Sequence, residues 1–499
     1  MGMATALPVS LAAQFISDNQ PRIRVSTNKK AGDKIILTLS MAENLTGEDP
    51  WIDLNDDGTK QENESIRTLD YAVEYVLGAS SFTVYGNYRS LNAQGQGITT
   101  VDLTYAPALL YLNVNKNLIS ALNTSKNTNL TRLDCNENQL TSLDLSANRS
   151  LNVLSCSNNQ IERITFPDNK GLAELYCESN LLTSLNLQGY TNLVYLYCDR
   201  NLLTEVNIAA CENLTEFTAQ GNQLQEANIA DCPHLEYLQL EENQLKRIDI
   251  SACEGLNLIN CSINQMGYAQ MMALVNMLPD RNGALNVGVI YVYNSQKGTE
   301  ANQCSAAQAA VAKSKNWRVM MYDLTGKADF KGEEVPTVSV DVKTQGEGEA
   351  LFLDQEYLSL DKMPVGSVLT LIPTPAQDWK VKEVTATGAL LSEPDANGNY
   401  TLTLNENSIV TVTFEDHTGV NAPLSHSNLT VYPNPVSDVL NVSGAPAASP
   451  VHLWSTRGSL VLSTRCDEAG HATIQASQLP AGTYLLQVGS VTKRITVAQ

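Results

Sequence analysis

The sequence predicts a mainly β chain: a solenoid of stacked coils, an α/β cap that closes it, and two small β-sandwich-like domains after that. Three observations carry the prediction. Asparagine recurs every 21 residues from Asn117 to Asn264. Beyond Asn264 the period stops and helix-like runs alternate with strand-like ones. From Pro336 onward only short alternating runs remain, bounded by turn residues.

Composition agrees with layered units rather than one bulky core. Of 499 residues, 43% are hydrophobic and 17% charged, but only 6% are aromatic, with 7 Phe against 19 Tyr. The excess of 53 acidic over 32 basic residues gives a formal charge of -21, which repels nucleic-acid phosphates and anionic lipid heads. Nucleic acid is therefore excluded as a partner. No run of apolar residues is long enough for a transmembrane helix.

Residues 1–14, MGMATALPVSLAAQ, have the apolar stretch and small-residue end of a secretory signal without its basic start, and read as a signal remnant that marks export. An ordinary N-terminal tail is the alternative. Residues 15–100 form an N-terminal cap region, expected to hold strands and one short helix over Thr68 to Val76. Within it, Asp53, Asn55 and Asp57 stand at positions 1, 3 and 5 of the twelve-residue calcium-loop template. Gly58 fills position 6, Thr59 would give a backbone carbonyl, Gln61 a direct or water-mediated ligand, and Glu64 two oxygens at position 12. Lys60 takes the usually aliphatic position 8, and a strand-like run precedes the loop. The expectation is a Ca2+ loop between β elements, with a solvated acidic turn as the alternative.

Residues 101–266 contain the repeat. Asn117, Asn138, Asn159, Asn180, Asn201, Asn222, Asn243 and Asn264 mark eight coils, each led by L-x-x-L-x-C/V/A/L-x-x-N. The second half of each coil repeats the idea loosely, as in Leu140, Leu143, Leu145 and Asn148. A coil this short cannot bury its own apolar face, so coils stack and share one interior. The asparagine suits the bend because its amide can bond turned backbone that water cannot reach. Cys135, Cys156, Cys177, Cys198 and Cys261 share one inward position, and Cys211, Cys232 and Cys253 another. Equivalent Cβ atoms on neighbouring strands lie about 4.8 Å apart, beyond the roughly 3.5 to 4.5 Å of a disulfide. Buried reduced thiols are expected, with metal or disulfide use as the alternative.

The unit L-x-x-L-x-C-x-x-N-x-L-T-x-L-D-L-S-x-N, complete from Leu130 to Asn148, resembles the leucine-rich repeats of internalin-type bacterial surface proteins in their cysteine-ladder form. The fold class is thus a leucine-rich repeat solenoid. Residues 267–335 follow as the α/β cap: helix-like Gly267 to Leu278, strand-like Val287 to Tyr293, helix-like Ser305 to Ser314, strand-like Trp317 to Tyr322.

Residues 336–415 read as a small all-β spacer, with strands Val338 to Val342, Val368 to Ile372, Tyr400 to Leu404 and Ile409 to Phe414 and a turn at Asn397-Gly398. Its "VGSVLTLIPTPAQDW" and "TVTFED" resemble β-repeat modules that hold surface domains away from the envelope. A polar linker, 416–428, leads to 429–499, where "LTVYPNPVSDVLNV", "VHLWSTRGSLV", "LPAGTYLLQV" and "KRITVAQ" resemble the C-terminal sorting domain of type IX secretion. That resemblance implies handling by the type IX machinery, passage through the outer membrane, removal of the domain, and attachment of the rest to surface lipopolysaccharide.

Period-2 alternation assigns the outward residues of the repeat strands. Tyr176 stands one coil before Tyr197, and Tyr195 two coils before Tyr237, among Glu174, Asp199, Arg200, Glu216 and Glu236. Tyrosines among charges on a rigid face about 35 to 40 Å long have the composition of a binding interface. Unspecialised strand surface is the alternative. An enzyme is not expected: of five His, only His234 lies outside the linker and sorting segment, and no zinc spacing or nucleophile–base pattern occurs. The expected function is a secreted, cell-surface adhesin whose concave face binds a host or bacterial surface protein or glycan, in attachment, biofilm formation and virulence. A self-associating surface-layer component and an exported hydrolase are the alternatives.

Overall fold

The computed structural model describes residues 20–42, 50–66, 68–229, 231–416, 429–445, 447–455, 460–480, 482–488 and 491–498. The expected signal remnant and nearly all of the linker lie outside them. The described chain divides into two compact units, residues 1–333 and 334–499.

In the first unit, each repeat asparagine is preceded by a three-residue strand: Tyr111–Asn113, Arg132–Asp134, Val153–Ser155, Glu174–Tyr176, Tyr195–Tyr197, Glu216–Thr218, Tyr237–Gln239 and Leu258–Asn260. Neighbours pair in parallel one full repeat apart, for example Leu154 with Leu175 and Leu196 with Phe217. The middle residue of each strand points inward and is buried, as Leu133, Leu154, Leu175, Leu196, Phe217, Leu238 and Ile259 show. On the opposite side of the coils run three separate parallel pairs among the described residues, such as Ser184–Asn186 with Glu205–Asn207. Both sides therefore feed one continuous apolar interior.

The asparagines hold the coils together. Asn180 donates through Nδ2 to the Cys156 and Cys177 carbonyls at 3.0 and 3.1 Å, and its Oδ1 accepts from the Ile161 amide at 2.9 Å. The same three partners, shifted by one coil, serve Asn138, Asn159, Asn201, Asn222, Asn243 and Asn264. Just before each asparagine the chain turns through the left-handed region, at Lys116, Glu137, Asn158, Ser179, Arg200, Gly221, Glu242 and Ile263. Only Gly221 adopts that conformation without a steric penalty.

All the ladder cysteines are buried free thiols. Burial pushes the thiols of Cys156, Cys177 and Cys198 far above the ordinary range, so they stay protonated. Three cysteines on the far turn do more than fill space: Cys211, Cys232 and Cys253 donate to the Leu187, Ile208 and Ile229 carbonyls one coil back.

The long sheet continues past the repeats at both ends, to fourteen strands. At the start it takes in Tyr88–Asn92, Lys34–Met41 and Ala72–Val76, while Trp51–Asp53, Ser81–Tyr85, Arg22–Thr27 and Ile98–Tyr105 form a separate antiparallel sheet. The helix expected over Thr68 to Val76 is absent. Ala72–Val76 is instead the outermost strand, pairing Val73 with Leu37 and Tyr75 with Ile35. Its β-branched and aromatic residues suit a pleated edge, and pairing decides what local propensity leaves open.

At the other end, helices α1 (Tyr268–Met277) and α2 (Ala306–Ser314) alternate with strands Gly288–Asn294 and Trp317–Asp323, which extend the sheet in parallel before a hairpin to Gly326–Asp329. Ser305 caps α2 in a capping box with Gln308. Asn302 continues the asparagine ladder into this cap: it donates to the Cys261 and Val292 carbonyls at 2.8 and 3.0 Å and accepts from the Met266 amide at 3.0 Å.

In the second unit, the strands expected at Tyr400 to Leu404 and Ile409 to Phe414 are one strand, Tyr400–Asp416, and a further long strand, Trp379–Leu391, pairs with it. The 429–499 segment forms two small sheets, Thr430–Tyr432, Val439–Ser443 and Ala472–Gln475 in one, and Pro450–Ser455, Leu460–Arg465, Gly482–Val488 and Val491–Val497 in the other. Leu440, Val451, Leu453, Ile474, Leu486 and Ile495 close the core between them.

Candidate functional site

The outer face of the long sheet is built by two strand positions. The first carries Glu174, Tyr195, Glu216 and Tyr237 in register, the second Tyr176, Tyr197, Thr218 and Gln239. Tyr176 and Tyr197 meet edge-to-face with ring centroids 5.2 Å apart, an arrangement that favours the ring quadrupoles. Tyr176 donates its hydroxyl to Glu174 at 3.2 Å, and Tyr197 donates to Glu216. Burial, with the Glu174 charge beside it, pushes the Tyr176 hydroxyl up to about 12, and burial together with the Glu216 hydrogen bond raises Tyr197 as well. The sheet thus brings together Tyr176, Tyr195, Tyr197, Glu174 and Glu216, with Tyr237 more exposed at 37%.

Three expected members sit differently. Asp199 follows its strand and turns toward the next coil, where it accepts from the Gln220 amide at 2.7 Å and the Thr218 hydroxyl at 2.9 Å. Burial lifts its carboxyl to about 6. Arg200 occupies the left-handed turn position and lies along Gly221. Glu236 precedes its strand at the rim, exposed, with its carbonyl accepting from Asn257 and Leu258.

The aromatic face extends beyond the repeats. Tyr291 pairs with Asn260 and so continues the column of Tyr176 and Tyr197. It stacks on Tyr322 with centroids 4.9 Å apart, and the Lys327 ammonium lies 5.2 Å from its ring. At the first coils, Tyr111 donates to Asp134 at 2.9 Å while Arg132 pairs with that carboxylate and lies 5.8 Å over the Tyr111 ring. A search at fixed period misses Tyr291 and Tyr322, because the cap inserts helices between its strands. Their signal is the two strand-like runs themselves, Val287 to Tyr293 and Trp317 to Tyr322.

The acidic loop closes on its own backbone. Asp53 accepts from the Asp57 and Gly58 amides at 3.1 and 2.8 Å, and Glu64 from the Leu54 and Gln61 amides at 2.8 and 2.9 Å. Gly58 supplies the turn at φ +76. Thr59 donates its amide to Asp57, and Asn55 and Gln61 donate side-chain amides to the same carboxylate. Burial raises Asp53 and Glu64, and the neighbouring charges add to it. Three mutually repelling carboxylates suit a hard dication in donor chemistry. Yet among the described residues no three His, Cys, Asp or Glu side chains are arranged to hold a metal ion. No helix of the described residues is long and apolar enough to cross a membrane.

No curated protein matches the chain. Among solved structures, it is similar to the functional domain of InlJ from Listeria monocytogenes, which includes a cysteine ladder: 16% identity, 68% of this chain and 93% of that one, TM-score 0.35. It is similar to the leucine-rich repeat protein LIC12759 of Leptospira interrogans at 18% identity, over 47% of this chain and 77% of that one, TM-score 0.32. An internalin (inlF) of Listeria monocytogenes shares 17% identity over 46% of this chain and 86% of that one, TM-score 0.27. Residues 430–498 match the family described as the secretion system C-terminal sorting domain. The chain therefore joins a leucine-rich repeat stack to a C-terminal sorting domain that marks it for secretion and attachment at the cell surface through the type IX system.

Proposed function

We propose that the protein is an adhesin, whose long sheet binds a protein or other macromolecule of a host or bacterial surface and supports attachment and biofilm formation. One observation carries this reading: Tyr176, Tyr195, Tyr197 and Tyr237 stand among carboxylates on one registered sheet face, a composition suited to binding hot spots. Attachment through surface lipopolysaccharide after removal of 429–499 belongs to the same proposal. The full chain, captured on host-cell and bacterial surface fractions, is compared with a variant carrying alanine at the four tyrosines. Loss of capture with unchanged melting supports the reading. Equal capture, or association only with copies of itself, defeats it.

The proposal extends to Ca2+ in the loop from Asp53 to Glu64, resting on the complete donor template. Ca2+ would take up the Asp53, Asp57 and Glu64 carboxylates, with Asn55, Gln61 and the Thr59 carbonyl completing the shell. Calcium at millimolar concentration should raise the melting temperature of the wild type and not of Asp53→Asn with Glu64→Gln. Identical titrations of the two by calorimetry would remove the metal.

A further inference from the structure

The outer face of the sheet carries one recognition chemistry three times, and only the middle copy lacks its counterpart. At the first coils, Tyr111 and Asp134 are matched by Arg132, which pairs with the carboxylate at 2.9 Å and lies over the ring. At the cap, the stacked Tyr291 and Tyr322 are matched by Lys327, whose ammonium is 5.2 and 5.9 Å from the two ring centres. Between them, Tyr176, Tyr195, Tyr197 and Tyr237 stand with Glu174, Glu178, Glu216 and Glu241. Among the described residues no basic side chain forms an ion pair with any of these four carboxylates. Their hydrogen-bond partners are neutral: Tyr176, Ser157, Tyr197 and Asn260 donate to them.

The sequence leaves this stretch poor in cations. From Gly171 to Leu245 there are eleven acidic residues and one basic residue, Arg200. A tyrosine ring attracts a cation to its face, and a neighbouring carboxylate adds charge complementarity. We infer that the middle of this face binds a cationic polypeptide segment, whose lysine or arginine side chains take the places that Arg132 and Lys327 take at the two ends. The inference rests on the adhesive reading and specifies the partner's chemistry.

Calorimetry with the full chain tests it, using a synthetic peptide of alternating lysine and serine and a matched peptide of alternating glutamate and serine. The lysine peptide should bind, more weakly as salt rises, and the glutamate peptide should not. Changing Glu174, Glu178, Glu216 and Glu241 to Gln keeps their hydrogen-bond acceptors and should weaken binding at least about tenfold. The same replacement at exposed Glu347, Glu349, Glu383 and Glu393 removes as much charge from another unit and should weaken it by less than about twofold. Equal losses from the two sets would show attraction to overall charge and overturn the inference, as would binding of the glutamate peptide. Surface capture that depends on the four tyrosines without lysine-peptide binding would also overturn it while leaving the adhesive reading intact. Failure of both measurements would overturn both.

Discussion

The two turns of each coil solve one problem with different tolerance. On the strand side, every coil from Asn117 to Asn264 keeps asparagine, whereas the far turn begins with Asn127 and Asn148 and passes through Asn169 and Tyr190 to Cys211, Cys232 and Cys253. Bond count explains the contrast. The strand-side residue must donate twice and accept once in a buried site, as Asn180 does, and only a primary amide of that length has the atoms. The far-side residue can manage with one donor to the carbonyl one coil back: Asn127 donates to Leu103 and also to Ala106, whereas Cys211 gives only the first kind of bond, to Leu187 at 3.2 Å. Its acceptor is used unevenly: the Asn148 Oδ1 accepts from the Thr124 hydroxyl at 2.7 Å, while the Asn127 Oδ1 is buried without a partner among the described residues.

Five substitutions probe these turns and their neighbours, led by the largest expected effect. Asn180→Ala should destabilise by about 3 kcal/mol or more, because it strands two buried carbonyls and an amide. A loss under about 1 kcal/mol in urea unfolding would mean that water replaces the ladder. Cys156→Ser should cost roughly 1 to 3 kcal/mol, since it exchanges a fully buried thiol that makes no side-chain hydrogen bond among the described residues for a more polar hydroxyl. Cys211→Ser, which can keep the bond to Leu187, should cost less than about 1 kcal/mol. Equal costs would erase the distinction between packing and donating thiols.

Asp199→Asn should stabilise at neutral pH by on the order of 1 kcal/mol. The folded protein holds the Asp199 proton up to about 6, above the ordinary value of 3.8. The unfolded chain releases it sooner, so Asp199 lowers stability above that pH, and the cost fades as pH falls from 6 toward 4. Asparagine fits the position, because Asn115 and Asn136 accept there from the next coil's amide. A variant with an unchanged pH profile would place the buried charge elsewhere. Ser179→Gly should be smallest, a gain of up to about 1 kcal/mol by relieving the left-handed turn at φ 55. Destabilisation would show that the serine side chain matters more than the turn.

The sequence disclosed what repeats and concealed what does not. The asparagine ladder was readable because identical bonds in identical coils require identical spacing. Asn302 plays the same part in the cap, but α1 and a strand separate it from Asn264, so no period points to it. The left-handed turns were hidden because seven of the eight positions hold ordinary residues that the stacked backbone forces into that conformation. Likewise Ala72–Val76 became a strand through pairing with Lys34–Met41, a contact that no local pattern records. On the outer face of the long sheet, the tyrosine columns followed from alternation, while the inward turn of Asp199 depended on the neighbouring Gln220 amide.

Because each amide of the ladder clasps its own coil and the one before it, the molecule has a natural unit of growth. Adding or removing a whole coil leaves every clasp intact, whereas a change of one or two residues at this turn would break three at once. A change of reach that keeps every clasp therefore comes in complete rungs.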